Sequence, residues 1–164
     1  MIAAVVLAAG AATRYGRPKQ WELLPGVLER VARSPFGEVV VVAGAYPLTT
    51  TATVVHCDDW ERGPGASLRA GLAALGPDVT HAVVVLADGP ALDPRAVARV
   101  LERRDEADVV AATYDGSRDH PVVLARAVWP SVPDEGARAF APLLVDCSDL
   151  EPPGDVDVPV EDEG

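Results

Sequence analysis

Short apolar runs, separated by segments of helical period, constrain this fold more than any other feature. Ile2 to Leu7, Val39 to Val42 and Ala82 to Leu86 are brief, valine-rich and unbroken by a polar side chain. A strand wet on one face alternates polar and apolar residues, so an unbroken run belongs to a strand covered on both faces. Thr53 to His56 reads as a weaker strand, Asp108 to Ala112 as another, and Pro121 to Leu124 as one whose leading proline suits a strand start or a sheet edge. Leu23, Leu24, Val27, Leu28 and Val31 recur at helical spacing and predict a helix to about Arg33, with Gly26 weakening its start. Ser67 to Leu75 places Leu68, Leu72 and Leu75 on one helical face. Asp93-Pro94 reads as an N-cap followed by proline at the first helical position, opening a helix that turns Val97, Val100 and Leu101 inward and ends near Arg104. Asp134 is expected to cap a helix holding Phe140 and Leu143, and Val156 and Val158 to form a last short strand.

Strands alternating with helices make an α/β chain, a three-layer sandwich around a mostly parallel twisted sheet. Ligands of such sheets bind at the carboxyl ends of the strands. The first strand brings the Gly10 loop to that edge, and the strand ending at Leu86 brings Asp88. The 164 residues fit one domain, 1–164, large enough to bury a core without disulfide or metal staples. Cys57 and Cys147 form neither a disulfide framework nor a zinc pattern, and read as free thiols in a reducing compartment. A net charge of -11 disfavours nucleic acid and anionic membrane as partners, while leaving room for a small anion in a local basic pocket. The run from Ile2 to Ala9 is too short to span a bilayer, and no basic residue precedes it as in a signal peptide. A cytoplasmic protein is the expectation.

Lys19 is the single lysine among 14 basic residues, the rest being arginine. It closes the segment Leu7-Ala8-Ala9-Gly10-Ala11-Ala12-Thr13-Arg14-Tyr15-Gly16-Arg17-Pro18-Lys19. Small residues let backbone N–H groups approach phosphate oxygens, and Lys19 is a compact charge where arginine would be a planar fork. Only Gly10 and Gly16 are present where the dinucleotide fingerprint needs three glycines, and the P-loop spacing fails as well. From the residues alone, a phosphate-contacting loop and a tight strand-to-helix turn with ordinary cations stand about even.

The same segment resembles the signature L-A-[AG]-G-x-S-x-R-x-G-x-x-K of the nucleotidyltransferases that act on molybdenum cofactor. Ala9 sides with the cytidylyltransferase type, L-A-A-G, over the guanylyl type, L-A-G-G. Further matches follow in order. Asp59-Trp60-Glu61-Arg62-Gly63 with Ser67-Leu68-Arg69-Ala70-Gly71-Leu72 is similar to D-W-x-x-G…S-L-x-x-G-L. Leu86-Ala87-Asp88-Gly89-Pro90 is similar to L-x-D-x-P, His120-Pro121-Val122 to G-H-P-V, and Asp134-Glu135-Gly136-Ala137-Arg138 to D-x-G-A-R. Asp155-Val156-Asp157-Val158-Pro159, then Glu161-Asp162, is similar to D-I-D-T-P-E-D. The departures are Ala12 for serine, Cys57 for asparagine, Asp119 for the glycine before His-Pro, Val158 for threonine, and an inserted Val160.

The resemblance implies a Rossmann-like nucleotidyltransferase fold and an enzyme that passes CMP from CTP to a molybdopterin-type, phosphate-bearing acceptor, releasing pyrophosphate. Alternatives are GTP as donor, a sugar phosphate as acceptor, or a nucleotide-binding maturation protein without turnover, with a molybdoenzyme as its partner. It implies Leu7, Ala8, Ala9, Gly10, Arg14, Lys19 and Ser67 as the nucleotide-binding set. Arg14, Lys19 and Asp88 are the implied catalytic set, and Asp88 with Asp157 (Asp155 the alternative) the implied Mg²⁺ ligands. Beside each stands a plainer reading. Asp88 before Gly-Pro can open a turn, Ser67 can cap a helix, and Asp155 and Asp157 can face solvent from an edge strand. His120, Trp60 and Trp129 read more readily as structural residues.

Overall fold

A computed structural model describes residues 1–10, 19–48 and 50–154, with backbone alone at 19–21. Seven strands form one sheet: β1 (Ile2–Ala8), β2 (Glu38–Ala43), β3 (Thr53–His56), β4 (His81–Leu86), β5 (Val109–Tyr114), β6 (Ser117–Ala125) and β7 (Leu143–Asp146). The helices are α1 (Lys19–Val31), α2 (Pro64–Ala73) and α3 (Pro94–Glu102). The strand order is β3-β2-β1-β4-β6-β5-β7, parallel except where β6 pairs with β4 and β5. After β1 the chain moves outward through β2 and β3, then returns to place β4 on the other side of β1. Such a reversal opens a crevice at the carboxyl ends of the two strands, here β1 and β4.

The unbroken apolar runs are explained by the layers. Leu24, Val27 and Val31 of α1, with Ala96, Val97 and Val100 of α3, pack against Val6, Val41 and Val83 on one face of the sheet. Leu68 and Leu72 of α2, with Trp129 and Val132, cover Val5, Val42 and Val84 on the other. Gly71 lets α2 lie close, since a Cβ there would stand 2.7 Å from Val5 and 2.8 Å from Val42 side-chain atoms. Burial of the α1 stripe outweighs Pro25 and Gly26 inside that helix. Asp93 caps α3 as its sequence predicts, with its carboxylate accepting the Arg95 N–H at 2.9 Å.

Three local expectations are corrected. Pro121 lies neither at a strand start nor on an edge strand, because β6 is interior and begins at Ser117. The register shifts between Ala111 and Ala112, whose partners on β6 are Val122 and Asp119, so Pro121 falls at a bulge where its missing N–H breaks no ladder. Asp134 opens no helix: Ala137–Ala139 is a single 3-10 turn, and Leu143 begins β7 beside Val110. Ser67 does not cap α2, which starts at Pro64 with Gly63 before it. The expected strand at Val156 and Val158 lies outside the described residues. Among those residues no helix is long and apolar enough to cross a membrane.

Candidate active site at the carboxyl edge of the sheet

β1 and β4 run side by side with Leu7 opposite Leu86, and the Ala87 N–H donates to the Leu7 carbonyl at 3.0 Å. The chain therefore leaves both strands at one level, carrying Ala8 to Gly10 on one side and Asp88 on the other. The Ala45 N–H donates to the Ala9 carbonyl at 3.0 Å, and Gly44 leaves room for that approach, since a Cβ there would lie 2.7 Å from the same oxygen. Neighbouring backbone thus holds the small-residue segment in place.

A cleft of about 360 Å³ opens between these ends. Leu7, Ala8, Ala9, Gly10, Ser67 and Asp88 all line it. Trp60, Gly63 and Pro64 complete a wall at the N-terminus of α2. Pro64 has no N–H, and the Gly65 and Ala66 N–H groups donate to the carbonyls of Asp134 and Gly63, so what α2 offers the cleft is the partial positive charge of its N-terminus. Ser67, one turn into α2, is buried beside that wall. Trp60 packs against the sheet-facing apolar cluster, in line with the packing reading, and also borders the cleft. The D-W-x-x-G motif was the available signal for this wall.

In the apolar cluster against which Trp60 packs, Cys57 donates from Sγ to Asp59 Oδ1 at 3.3 Å. Burial, then the Asp59 carboxylate, push this thiol up, so it stays protonated at neutral pH. No group of three or more His, Cys, Asp or Glu side chains suited to a metal occurs among the described residues. Asp88 in the cleft fits a hard cation that takes one or two carboxylates and completes its shell with substrate phosphates and water. The last described residues run beside the Asp88 turn. The Ala91 N–H donates to the Pro153 carbonyl at 3.0 Å, and a Cβ on Gly89 would lie 3.0 Å from that of Pro153. Arg14, Asp155 and Asp157 lie outside the described residues, as does the side chain of Lys19, whose backbone begins α1.

A second cleft, of about 290 Å³, adjoins the first and shares Leu7, Pro64 and Leu86 with it. Leu68, Val84 and Val122 give it an apolar floor, and Arg118, Asp119, His120, Glu135 and Arg138 ring it. Its outer wall is tied down from two directions. Arg69 of α2 donates to the Val132 carbonyl at 2.9 Å and to Asp134 Oδ1 at 2.6 Å, holding that carboxyl below the usual carboxylate range. Arg118 of β6 donates to the carbonyls of Ala137 and Phe140, each at 2.8 Å.

Residues 4–141 match the family model described as a MobA-like NTP transferase domain. No curated protein matches the chain significantly. Among solved structures, Rv0371c of Mycobacterium tuberculosis H37Rv is 25% identical with a TM-score of 0.78, covering 96% of this chain and 93% of that one. A manganese complex of Rv0371c is 23% identical with a TM-score of 0.71, covering 88% of each chain. A nucleotidyl transferase from Methanothermobacter is 21% identical with a TM-score of 0.68, covering 83% of this chain and 78% of that one.

Proposed function

The chain belongs to the MobA-like NTP transferase domain family, and from that premise we propose that it transfers CMP from CTP to a phosphate-bearing acceptor of the molybdopterin type, releasing pyrophosphate. One observation carries the reading: the Leu7–Gly10 segment, Ser67 one turn into α2, and Asp88 share a single cleft at the reversal of strand order. In this account backbone groups of Ala8, Ala9 and Gly10 hold the base and phosphates, and Arg14 and Lys19 brace the triphosphate. The L-A-A-G form at Leu7–Gly10 favours CTP over GTP as the donor. The adjoining cleft takes the acceptor, with its apolar floor beneath a flat body and Arg138 at the rim toward the phosphate.

The acceptor oxygen attacks the α-phosphorus in line. A new oxygen–phosphorus bond forms, the bond to the β-bridging oxygen breaks, and pyrophosphate leaves with the electron pair. This chemistry asks little of the protein beyond position and charge neutralisation. Sharing Leu7, Pro64 and Leu86 sets the two clefts side by side, so donor and acceptor meet without either leaving its site. Asp88 and Asp157 would hold Mg²⁺, which when bound polarises the phosphates and offsets charge on the leaving group. The manganese complex of Rv0371c supports a divalent ion in this fold.

Thermal shift tests the reading, because a ligand at 100 times its Kd raises native-state stability by about 2.7 kcal/mol. CTP with Mg²⁺ is expected to raise the Tm more than GTP with Mg²⁺, and Asp88→Asn to remove the metal-dependent part. Equal shifts for both nucleotides would overturn the base assignment. Metal dependence intact in Asp88→Asn would overturn the ligand assignment.

A further inference from the structure

The second cleft contains a departure from the resembled motif. Where G-H-P-V has glycine, this chain has Asp119, directly before His120. Asp119 Oδ1 accepts the His120 backbone N–H at 2.7 Å and stands 3.4 Å from His120 Nδ1. The first contact fixes the carboxylate, and the second places it on one specific ring nitrogen. On the other side, the Tyr114 hydroxyl donates to the His120 carbonyl at 2.9 Å. The histidine backbone is therefore held from two elements, and its side chain, 24% exposed, lines the cleft.

The other charged groups at this cleft leave that pairing to Asp119. The Arg118 guanidinium is committed to the carbonyls of Ala137 and Phe140. Glu135 and Arg138 are exposed at the rim. The hydrogen bonds from His120 hold the Asp119 carboxyl below its ordinary range, so it is a carboxylate at working pH. A carboxylate on one imidazole nitrogen selects the neutral form protonated there, and leaves the other nitrogen with its lone pair.

We propose that Asp119 is a positioning residue that holds Nδ1–H of His120, and that Nε2 of His120 takes the proton from the acceptor's attacking oxygen. The proposal rests on the second cleft being the acceptor cleft. Its substrate class is a phosphate monoester in the monoanionic form, whose attacking oxygen still carries a proton. As that oxygen bonds to the α-phosphorus, its O–H bond breaks and the proton passes to Nε2, giving an imidazolium faced by the Asp119 carboxylate. The α-phosphorus bond to the bridging oxygen breaks, and pyrophosphate departs with the electron pair. General-base assistance of this kind is worth roughly 100-fold to 10,000-fold in rate.

Two measurements on the full chain test it. Long-range proton–nitrogen NMR above pH 8, with the His120 signals assigned by their loss in His120→Gln, is expected to show the Nδ1–H tautomer in the wild type and its loss in Asp119→Gly. A dominant Nε2–H tautomer in the wild type overturns the pairing. The second is turnover of CTP and molybdenum cofactor at pH 7, where imidazoles are ordinarily mostly neutral and about a tenth of a phosphate monoester retains its second proton. There Asp119→Gly is expected to lower kcat about 10-fold and His120→Gln about 100-fold, with the KM for CTP unchanged. If the wild type turns over and Asp119→Gly matches it, the dyad alone has failed. If the wild type transfers no nucleotide, the proposed function has failed and the dyad's role falls with it.

Discussion

Gly65 shows how much rests on the absence of one carbon. A Cβ there would lie 1.6 Å from the Pro133 carbonyl oxygen, and the Gly65 N–H donates to the Asp134 carbonyl at 2.8 Å. Gly63 beside it has φ 132°, a backbone region that side chains disfavour, and its Cβ would meet the same Asp134 oxygen at 2.5 Å. These two glycines let the loop that walls the second cleft rest on the turn that walls the first. Gly65→Ala is expected to destabilise the protein by about 1–3 kcal/mol. A urea midpoint lowered at constant m-value checks this, and an unchanged midpoint contradicts it. Lys19 supplies the contrasting case. Lys19→Arg keeps the charge but replaces a compact ammonium with a planar fork, so kcat should fall sharply while the Tm stays within a degree or two. Wild-type kinetics in that variant would remove Lys19 from the triphosphate.

Elements read well where their signals are local. β1, β2 and β4 declared themselves as unbroken valine runs, and α3 by Asp93-Pro94, since a cap and an N1 proline act within one turn. The same logic holds for α2, where Pro64 after Gly63 marks the start and leaves Ser67 inside the helix, not at its cap. What escaped was set by partners distant in sequence. Asp134 is an acceptor for Arg69, 65 residues away, and Leu143 pairs with Val110. The position of Pro121 depends on a bulge, which belongs to the pairing of β5 with β6 and not to either strand alone. At the candidate site, Gly10, Ser67 and Asp88 were legible as motif positions, whereas the second cleft was not, because its floor comes from α2, β4 and β6 together. One distant pair yields a prediction. Arg99 of α3 bonds both oxygens of Asp149, at 2.5 and 2.7 Å, and holds its carboxyl down to about 2. A depressed carboxyl stabilises the fold at pH above its ordinary value, and that contribution fades as pH falls through the lowered one. The Tm gap between wild type and Asp149→Asn should be small at neutral pH, as for any exposed pair, and close between about pH 4 and pH 2. A gap persisting below pH 2 would show that it does not come from this ionisation.

For the whole molecule, topology and charge answer different questions. The reversal of strand order at β1 and β4 determines where a ligand sits, and the two covered faces leave the carboxyl edge as the place for chemistry. The net charge of -11 makes a polyanionic macromolecule a poor partner, yet the N-terminus of α2 brings a partial positive charge to the cleft at one edge. The proposed ligand is accordingly a small anion bridged by a divalent cation. The direct test is to incubate the protein with CTP, Mg²⁺ and molybdenum cofactor, and to follow cofactor mass and pyrophosphate together. The account predicts a cofactor heavier by one CMP, with one pyrophosphate released per cofactor converted. A cofactor unchanged in mass while CTP stays intact, or one that gains GMP in preference when GTP is offered, would contradict it.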